Sequence, residues 1–241
     1  MELTDGRRFM LLDEARRESY ITAWNALMEH RNLFPLFESP ETTNSVLLAI
    51  LDDNPGMFWF EGAWKIVPYG RLHCHPFYTC SKDEASHRTR ELEGVLRGLQ
   101  ARIGATDPYH IALWLYDWMF ENVRYGQSES SGQTSYDALV RQTALCKGIA
   151  KGYQLLLLQF GISSSLVRGS IGGAGKHVWN RLYIDSSPLY VDISLAHSQF
   201  DYLFPHNERD NPRRCFLMNE AAVQSHQVVM EEETDHADTD L

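Results

Sequence analysis

The sequence predicts an α+β protein, and three features of residue order lead to this class. Apolar residues recur at helical spacing through most of the first half of the 241-residue chain. A strongly apolar helix follows at 142–162, and after it several segments with the composition of strands succeed one another. Helices that precede a run of antiparallel strands, instead of alternating with strands, are typical of the α+β class. A chain of this length can bury a full core without disulfide bonds.

The N-terminal region, residues 1–105, is predicted to be mainly helical and to pack on the rest of the chain. A helix is expected over 12–31, where apolar residues share one face, and a second over 41–53, which a cluster of turn-forming residues ends. Ser81 and Glu84 match a capping box at the start of a further helix. Short strands are predicted between these helices, at 57–60, 63–69 and 71–80.

The region 106–230 is predicted to form the core of the protein. Asp107 and Pro108 begin a helix that runs to about Val123 and is apolar nearly all round, so we expect it to be buried. A polar loop at 126–135 separates this helix from a short helix and then from the apolar helix that contains Cys146. Strands are expected at 163–170, 176–184 and 189–194.

Charge and composition exclude several classes of partner. The net charge is −10, and the acidic residues are concentrated at 231–241, which predicts a disordered acidic tail. Nothing resembles the basic stripe of a nucleic-acid-binding protein. The N-terminus is charged, and no apolar run approaches the roughly 20 residues of a membrane span. With its four cysteines widely scattered, the chain is expected to be a reduced, cytoplasmic protein without a membrane partner.

Cys146 lies near the start of its helix, where a thiol can become reactive. A thiol is a nucleophile only when a helix N-terminus or an imidazolium lowers its pKa. Thr143 is a plausible N-cap, which would place Cys146 in the first turn of the helix. Gly148 and Gly152 lie four residues apart and leave one face of the helix without side chains, and we expect a strand to approach there.

His177 and Asp192 lie on the two strands of a predicted hairpin. If Asp185 and Ser186 form the turn, Asp192 stands opposite Trp179, and His177 is its diagonal neighbour on the same face. Diagonal neighbours are about 7–8 Å apart at the backbone, which an imidazole and a carboxylate can span. A helix start and a hairpin can therefore bring a cysteine, a histidine and an aspartate together.

Each of these residues alone has an ordinary structural explanation. A buried cysteine is commonly an inert small hydrophobe, and a histidine in a strand is commonly a hydrogen-bonded core residue. Three chemically matched residues in one consistent topology favour a nucleophilic site instead. Cys215 follows two arginines and is the one competing thiol.

A zinc site in the segment 71–80 is a weaker hypothesis. His73 and His75 would face one side of a strand and Cys74 the other, and the spacing lacks the paired form of structural zinc sites. We therefore predict no metal and no cofactor.

Three strings in the second half of the chain carry a resemblance to a known family. They are 136-YDALVRQTALCKGIAKGYQLLLLQFGISSSLVRGS-170, 176-KHVWNRLYID-185 and 189-LYVDISL-195. Together they resemble the transglutaminase-like superfamily in the order and spacing of the cysteine, the histidine and the aspartate, over about residues 108–200. Val178 replaces the usual alanine, and Ile193-Ser194 replaces the residues that usually follow the aspartate. The segment 52–62 is also similar to a lead-in found in some bacterial members.

The resemblance implies a papain-like core in which a catalytic cysteine at a helix N-terminus packs on an antiparallel sheet. In this chain Cys146 would be the nucleophile, His177 the general base and acid, and Asp192 the residue that orients the histidine. The resemblance also implies that the Cys146 N–H and one upstream polar side chain hold the oxyanion. Candidates for that side chain, or for contact with the substrate, are Gln133, Tyr136, Trp179 and Asn180. A core aromatic is an equally good interpretation of Trp179.

The expected activity is cleavage of a peptide, isopeptide or side-chain amide bond of a protein or peptide substrate through an acyl-enzyme. Two alternatives remain open. One is transfer of a glutamine acyl group to an amine, or deamidation of the glutamine side chain. Transfer and hydrolysis share every step up to the acyl-enzyme. The other is a non-enzymatic module that binds peptides on the same fold.

Overall fold

The computed structural model describes residues 7–127, 130–171, 175–184, 187–225 and 228–230. Within these ranges the chain forms two compact units, of which the first ends at Arg88 and the second begins at Thr89. Both units combine helices with antiparallel sheet, so the predicted α+β class is confirmed. The predicted boundary near residue 105 stays a prediction, and the predicted acidic tail at 231–241 lies outside the described residues.

The first unit consists of helices and one small sheet. Its helices are α1 (Arg7–Leu11), α2 (Glu14–Met28) and α3 (Pro40–Asp53), and α4 (Lys82–Gln100) begins in it and crosses the boundary. Strands β1 (Phe34–Pro35), β2 (Phe60–Tyr69) and β3 (Arg71–Tyr78) form an antiparallel sheet in the order β1-β3-β2. The single helix predicted over 12–31 is shorter, because Asp13 caps α2 by accepting a hydrogen bond from the Arg16 N–H at 2.8 Å.

Strand β2 differs from the two strands predicted at 57–60 and 63–69. The chain forms one strand that begins at Phe60, and its register shifts between Phe60 and Trp64. Gly62 lies in this irregular stretch with φ of 104°, a conformation that only glycine adopts readily. The glycine therefore allows a bulge inside one strand instead of a turn between two.

The second unit has a mainly helical half and a sheet half. Its helices are α5 (Pro108–Asn122), α6 (Ser135–Leu139), α7 (Cys146–Leu158) and α8 (Glu220–Ser225), with a 3-10 helix at Ser198–Leu203. The antiparallel sheet has the order β8-β7-β6-β9, and β4 and β5 form a short parallel pair. These strands are β4 (Arg124–Tyr125), β5 (Thr143–Ala144), β6 (Ser164–Ile171), β7 (Gly175–Ile184), β8 (Ser187–Val191) and β9 (Val228–Met230). No helix in the part of the chain that the structure describes has the length and apolar character to cross a bilayer.

Helix α7 is fixed between α5 and the sheet. The hydroxyl of Tyr153 donates to the carbonyl of Ala112 on α5 at 2.9 Å, and the Asn180 amide on β7 donates to the carbonyl of Ala150 at 2.9 Å. Tyr153 is completely buried. Because a buried carbonyl or hydroxyl is costly without a partner, these bonds hold α7 at one position against the sheet.

The glycine face of α7 meets a loop, two helices and the two-residue strand β5, whose Ala144 Cβ would lie 2.9 Å from a Cβ at Gly148. The strand expected there is therefore β5, and a loop and two helices approach as well. A Cβ at Gly148 would lie 2.4 Å from the Gly132 carbonyl oxygen. A Cβ at Gly152 would lie 3.0 Å from the Ala138 Cβ on α6 and 3.2 Å from the Met119 Cε on α5. The spacing of the glycines correctly indicates a close approach, but the approaching segments depend on how the chain from α5 onward folds back, which no local pattern encodes.

Candidate active site

The first candidate residue, Cys146, begins helix α7. The N-cap is Leu145, which makes no side-chain capping hydrogen bond, and Thr143 instead belongs to β5, so its predicted capping role is wrong. Cys146 still lies in the first turn, as expected, and its side chain is half-buried. The positive end of the helix dipole thus lies beside the sulfur, without a capping side chain to shield it.

The second and third candidates, His177 and Asp192, are brought together by the β7–β8 hairpin. Asn180 pairs with Val191 and Ile184 with Ser187, which is the register expected from a turn at 185–186, although these two turn residues lie outside the described ranges. The His177 Nε2 lies 2.6 Å from Oδ2 of Asp192. Only 3% of His177 and 2% of Asp192 are exposed to solvent.

The histidine also hydrogen-bonds the thiol. Its ring contacts the Cys146 side chain, and because Nε2 is occupied by Asp192, Nδ1 is the nitrogen left for the sulfur. Burial by itself lowers the pKa of His177, but the charge and hydrogen bond of Asp192, together with Cys146, raise it to about 10. At neutral pH the ring is therefore an imidazolium, held between a carboxylate and a sulfur atom.

The carboxylate of Asp192 has a second set of partners that the sequence did not reveal. Its Oδ1 accepts hydrogen bonds from the Ser194 hydroxyl at 2.7 Å and from the Leu195 N–H at 2.9 Å. The backbone N–H of Asp192 donates to the Cys215 carbonyl at 3.0 Å. Both carboxylate oxygens are thus engaged, so the carboxylate has one orientation toward His177. The only local indication of these partners in the sequence is the polar Ser194, two positions after the aspartate.

Aromatic rings surround the imidazole. Trp179 stacks on His177 with ring centroids 5.7 Å apart, and Phe200 meets it edge-on at 6.3 Å. Tyr125 in turn packs edge-on against Phe200 at 5.4 Å. Burial, followed by the proximity of Cys146 and Asp192, raises the pKa of Tyr125 to about 12. Trp179 is only 1% exposed, so it shields the imidazole from water; Phe200 and Tyr125 were missed because no motif contains them.

The upstream candidates occupy different places. The Tyr136 hydroxyl donates to Oε2 of Glu91, in the middle of α4, at 2.6 Å. Gln133 is half-buried on the loop between Gly132 and Thr134, whose backbone lies against the first turn of α7. Asn180, through its bond to Ala150, ties the sheet to α7.

The competing thiols are in unreactive surroundings. Cys215 is completely buried, and burial raises its pKa well above the ordinary value. Burial raises the pKa of Cys74 to about 12 and also raises that of Cys80. Among the residues that the structure describes, no group of three or more His, Cys, Asp or Glu side chains is arranged to hold a metal ion.

Comparisons with known proteins relate part of this chain to one superfamily. A model of the transglutaminase-like superfamily matches residues 97–193. No curated protein sequence matches the chain.

Three solved structures are similar to the chain. A structure of a TGase is 10% identical with a TM-score of 0.39, over 66% of this chain and 48% of its own. A candidate cysteine protease from Cytophaga hutchinsonii is 21% identical with a TM-score of 0.32, over 34% of this chain and 30% of its own. A candidate protease from Parabacteroides distasonis is 16% identical with a TM-score of 0.33, over 56% and 31%. This chain spans less than half the length of each of the three. Residues 97–193, which include Cys146, His177 and Asp192, are thus similar to the transglutaminase-like superfamily.

Proposed function

We propose that the chain is a cysteine-nucleophile hydrolase that cleaves amide bonds of protein or peptide substrates through an acyl-enzyme. Cys146 is the nucleophile, His177 the general acid and base, and Asp192 the residue that orients His177. The observation that supports this most directly is the buried imidazole of His177, which hydrogen-bonds the Cys146 side chain on one side and the Asp192 carboxylate on the other. A thiol, an imidazole and a carboxylate in this sequence of contacts are the components of nucleophilic acyl transfer.

The first half of the reaction forms a thioester. The Cys146 sulfur attacks the carbonyl carbon of the substrate as a thiolate, its proton being the one held by the His177 imidazolium, and the carbonyl oxygen takes up the displaced electron pair. The tetrahedral intermediate collapses with cleavage of the C–N bond, and the departing amine takes a proton from the His177 imidazolium. The products are an acyl group on the sulfur, a free amine and a neutral imidazole.

The developing oxyanion needs hydrogen-bond donors beside Cys146. The backbone N–H of Cys146 at the uncapped start of α7 is one donor. We assign the second donor to the side-chain amide of Gln133, whose loop lies on the first turn of α7. The Tyr136 hydroxyl is a weaker candidate, because it already donates to Glu91 at 2.6 Å.

The second half of the reaction decides between hydrolysis and transfer. Water attacks the thioester, gives a proton to neutral His177 and releases a carboxylic acid, which restores the thiolate and the imidazolium. A primary amine in place of water would yield a new amide, as in a transglutaminase. Cys146 is half-buried while His177 and Asp192 are nearly inaccessible, so solvent reaches the thioester and hydrolysis is favoured. A peptide-binding module would gain nothing from a charged imidazole buried against a thiol.

The test follows the acyl group by mass spectrometry. The full chain is incubated with p-nitrophenyl acetate and with a panel of glutamine-containing and isopeptide-linked peptides, each with and without an added primary amine. We expect a stoichiometric burst of p-nitrophenolate, an acetyl group on the peptide that contains Cys146, and carboxylic acid as the main product. Cys146→Ala should abolish the burst, while Cys80→Ala serves as the matched control. An amide product would indicate a transferase, and a burst that persists in Cys146→Ala would contradict the proposal.

A further inference from the structure

A buried carboxylate on helix α6 holds the loop that carries Gln133. We define the Gln133 loop as residues 130–134. Asp137 is 2% exposed, and its Oδ2 accepts hydrogen bonds from the Thr134 N–H at 3.1 Å and the Thr134 hydroxyl at 2.7 Å. Its Oδ1 accepts from the Ser130 hydroxyl at 2.5 Å and from Arg141 Nη1 at 2.9 Å. One carboxylate thus ties both ends of the Gln133 loop to α6.

These contacts exceed what the helix itself requires. A capping box needs only Thr134 and Asp137, and both halves of that box are present. The bond from Ser130 reaches beyond the box to the far end of the loop. The positive charge of Arg141 offsets part of the free-energy cost of burying the carboxylate. The arrangement therefore fixes the loop as well as starting the helix.

The middle of the Gln133 loop is pressed against the start of α7. The Gly132 carbonyl accepts a hydrogen bond from the Leu145 N–H at 2.9 Å, directly before Cys146. A Cβ at Gly148 would lie 2.4 Å from that carbonyl oxygen and 3.0 Å from the carbonyl oxygen of Thr134. Gln133 lies between these two carbonyls, so its backbone has a fixed position relative to the thiol.

We infer that Asp137 is a positioning residue for acyl transfer, which holds the Gln133 amide beside the carbonyl oxygen of the substrate. This role rests on the proposed function, because it matters only if an oxyanion develops at Cys146. Asp137 itself does not contact the reacting atoms; it acts through the loop. Misplacement of a catalytic group by about 1 Å can lower a rate by about 10²-fold.

The test compares two reactions of the same sulfur. Acylation by p-nitrophenyl acetate passes through an oxyanion, whereas alkylation by iodoacetamide displaces iodide from a saturated carbon and forms none. We expect Asp137→Asn to lower the acylation rate of Cys146 by on the order of 10- to 10²-fold and to leave the alkylation rate unchanged. The matched control is Asp107→Asn, which removes the carboxylate that caps α5 through the His110 N–H at 3.0 Å. It should change neither rate.

Two further variants make the result decisive. Gln133→Ala should lower acylation alone, by up to about 10²–10³-fold, and Asp137→Asn added to it should cause little further loss. If Asp137→Asn does not fold, Ser130→Ala removes the distal tie while the bonds of Asp137 to Thr134 and Arg141 stay in place, and it should lower acylation to a smaller extent. Equal loss of acylation and alkylation, or independent effects of Asp137→Asn and Gln133→Ala, would overturn the inference. So would a wild-type acylation rate in folded Asp137→Asn, or in Ser130→Ala where Asp137→Asn does not fold. Failure of the proposed function is distinct, since no acetyl group would then appear on Cys146 even in the parent protein.

Discussion

The His177 ring and the Asp192 carboxylate form a hydrogen bond of 2.6 Å with almost no access to water. Their attraction outweighs the cost of burying the charged ring, because the pKa of His177 is raised and not lowered. The β7–β8 hairpin brings this pair together, and α7 carries the Cys146 thiol, which interacts with the same imidazole. The pairing determines whether His177 is charged in the resting protein, and several expected outcomes depend on it.

Asp192→Asn should convert His177 from an imidazolium to a neutral imidazole at neutral pH. The amide has no negative charge, so the pKa of His177 should fall from about 10 toward or below 6.5, because burial then dominates. Nuclear magnetic resonance titration of the histidine ring protons would report this shift. Acylation by p-nitrophenyl acetate should fall by on the order of 10²–10⁴-fold, by analogy with the aspartate of the Ser-His-Asp triad. Asp117→Asn, which loses a partner of Arg213, is the matched control, and an unchanged His177 titration in Asp192→Asn would refute the pairing.

The stability of the fold should depend on alkaline pH through the same pair. The pKa of His177 is about 10 in the folded protein and 6.5 as an ordinary histidine, so its protonation stabilises the folded state. That contribution is fully present below pH 6.5 and is lost as the pH rises through about 10. In urea unfolding experiments, the free-energy advantage of the parent over His177→Gln should shrink across this range. A constant difference would show that His177 is not charged in the folded protein.

Ser194 should orient Asp192. Ser194→Ala leaves Oδ1 with the Leu195 N–H as its remaining partner in the described contacts, so the carboxylate gains freedom to rotate away from His177. A hydrogen bond to a charged group is worth about 1.5–3 kcal/mol, so we expect on the order of a tenfold or greater loss in acylation rate. Ser194→Thr retains the hydroxyl and should restore most of the activity. If threonine and alanine behave alike, the hydroxyl has no orienting role.

Two glycines on α7 offer a matched pair of substitutions. Gly148→Ala places a methyl group 2.4 Å from the Gly132 carbonyl oxygen, a rigid backbone atom, so the Gln133 loop must move. Gly152→Ala meets the Ala138 Cβ at 3.0 Å and the flexible end of Met119 at 3.2 Å. We expect Gly148→Ala to lose far more acylation activity than Gly152→Ala and to have the lower melting temperature of the two, because its methyl group meets rigid backbone atoms. Equal acylation activities of the two variants would show that the position of the Gln133 loop does not affect the reaction.

The sequence was sufficient for the parts of the site that depend on local patterns. The start of α7 near Cys146 follows from the onset of an apolar helical run, and the approach of His177 to Asp192 follows from a hairpin whose register one turn determines. The bulge at Gly62 was not predicted, because a glycine between two apolar runs is as typical of a turn as of a bulge.

The parts of the site that were not predicted from the sequence depend on contacts between segments distant along the chain. Phe200 reaches His177 because the chain after Asp192 folds back, and the Asp192 N–H is bound by the Cys215 carbonyl 23 residues later in the sequence. The role that we propose for Asp137 likewise depends on a loop that lies on another helix. Such contacts have no periodicity, so only the folded chain reveals them.

The central claim is that Cys146 and the His177 imidazolium form a reactive pair, and selective alkylation tests it most directly. The protein is treated with limiting iodoacetamide at about pH 6, where an ordinary thiol is almost fully protonated, and the labelled cysteines are identified by peptide mapping. The other three cysteines should react slowly, because burial raises the pKa of each. We predict that the label enters chiefly at Cys146 and that labelling drops markedly in His177→Ala. Preferential labelling of another cysteine, or labelling of Cys146 that is indifferent to His177, would contradict the claim.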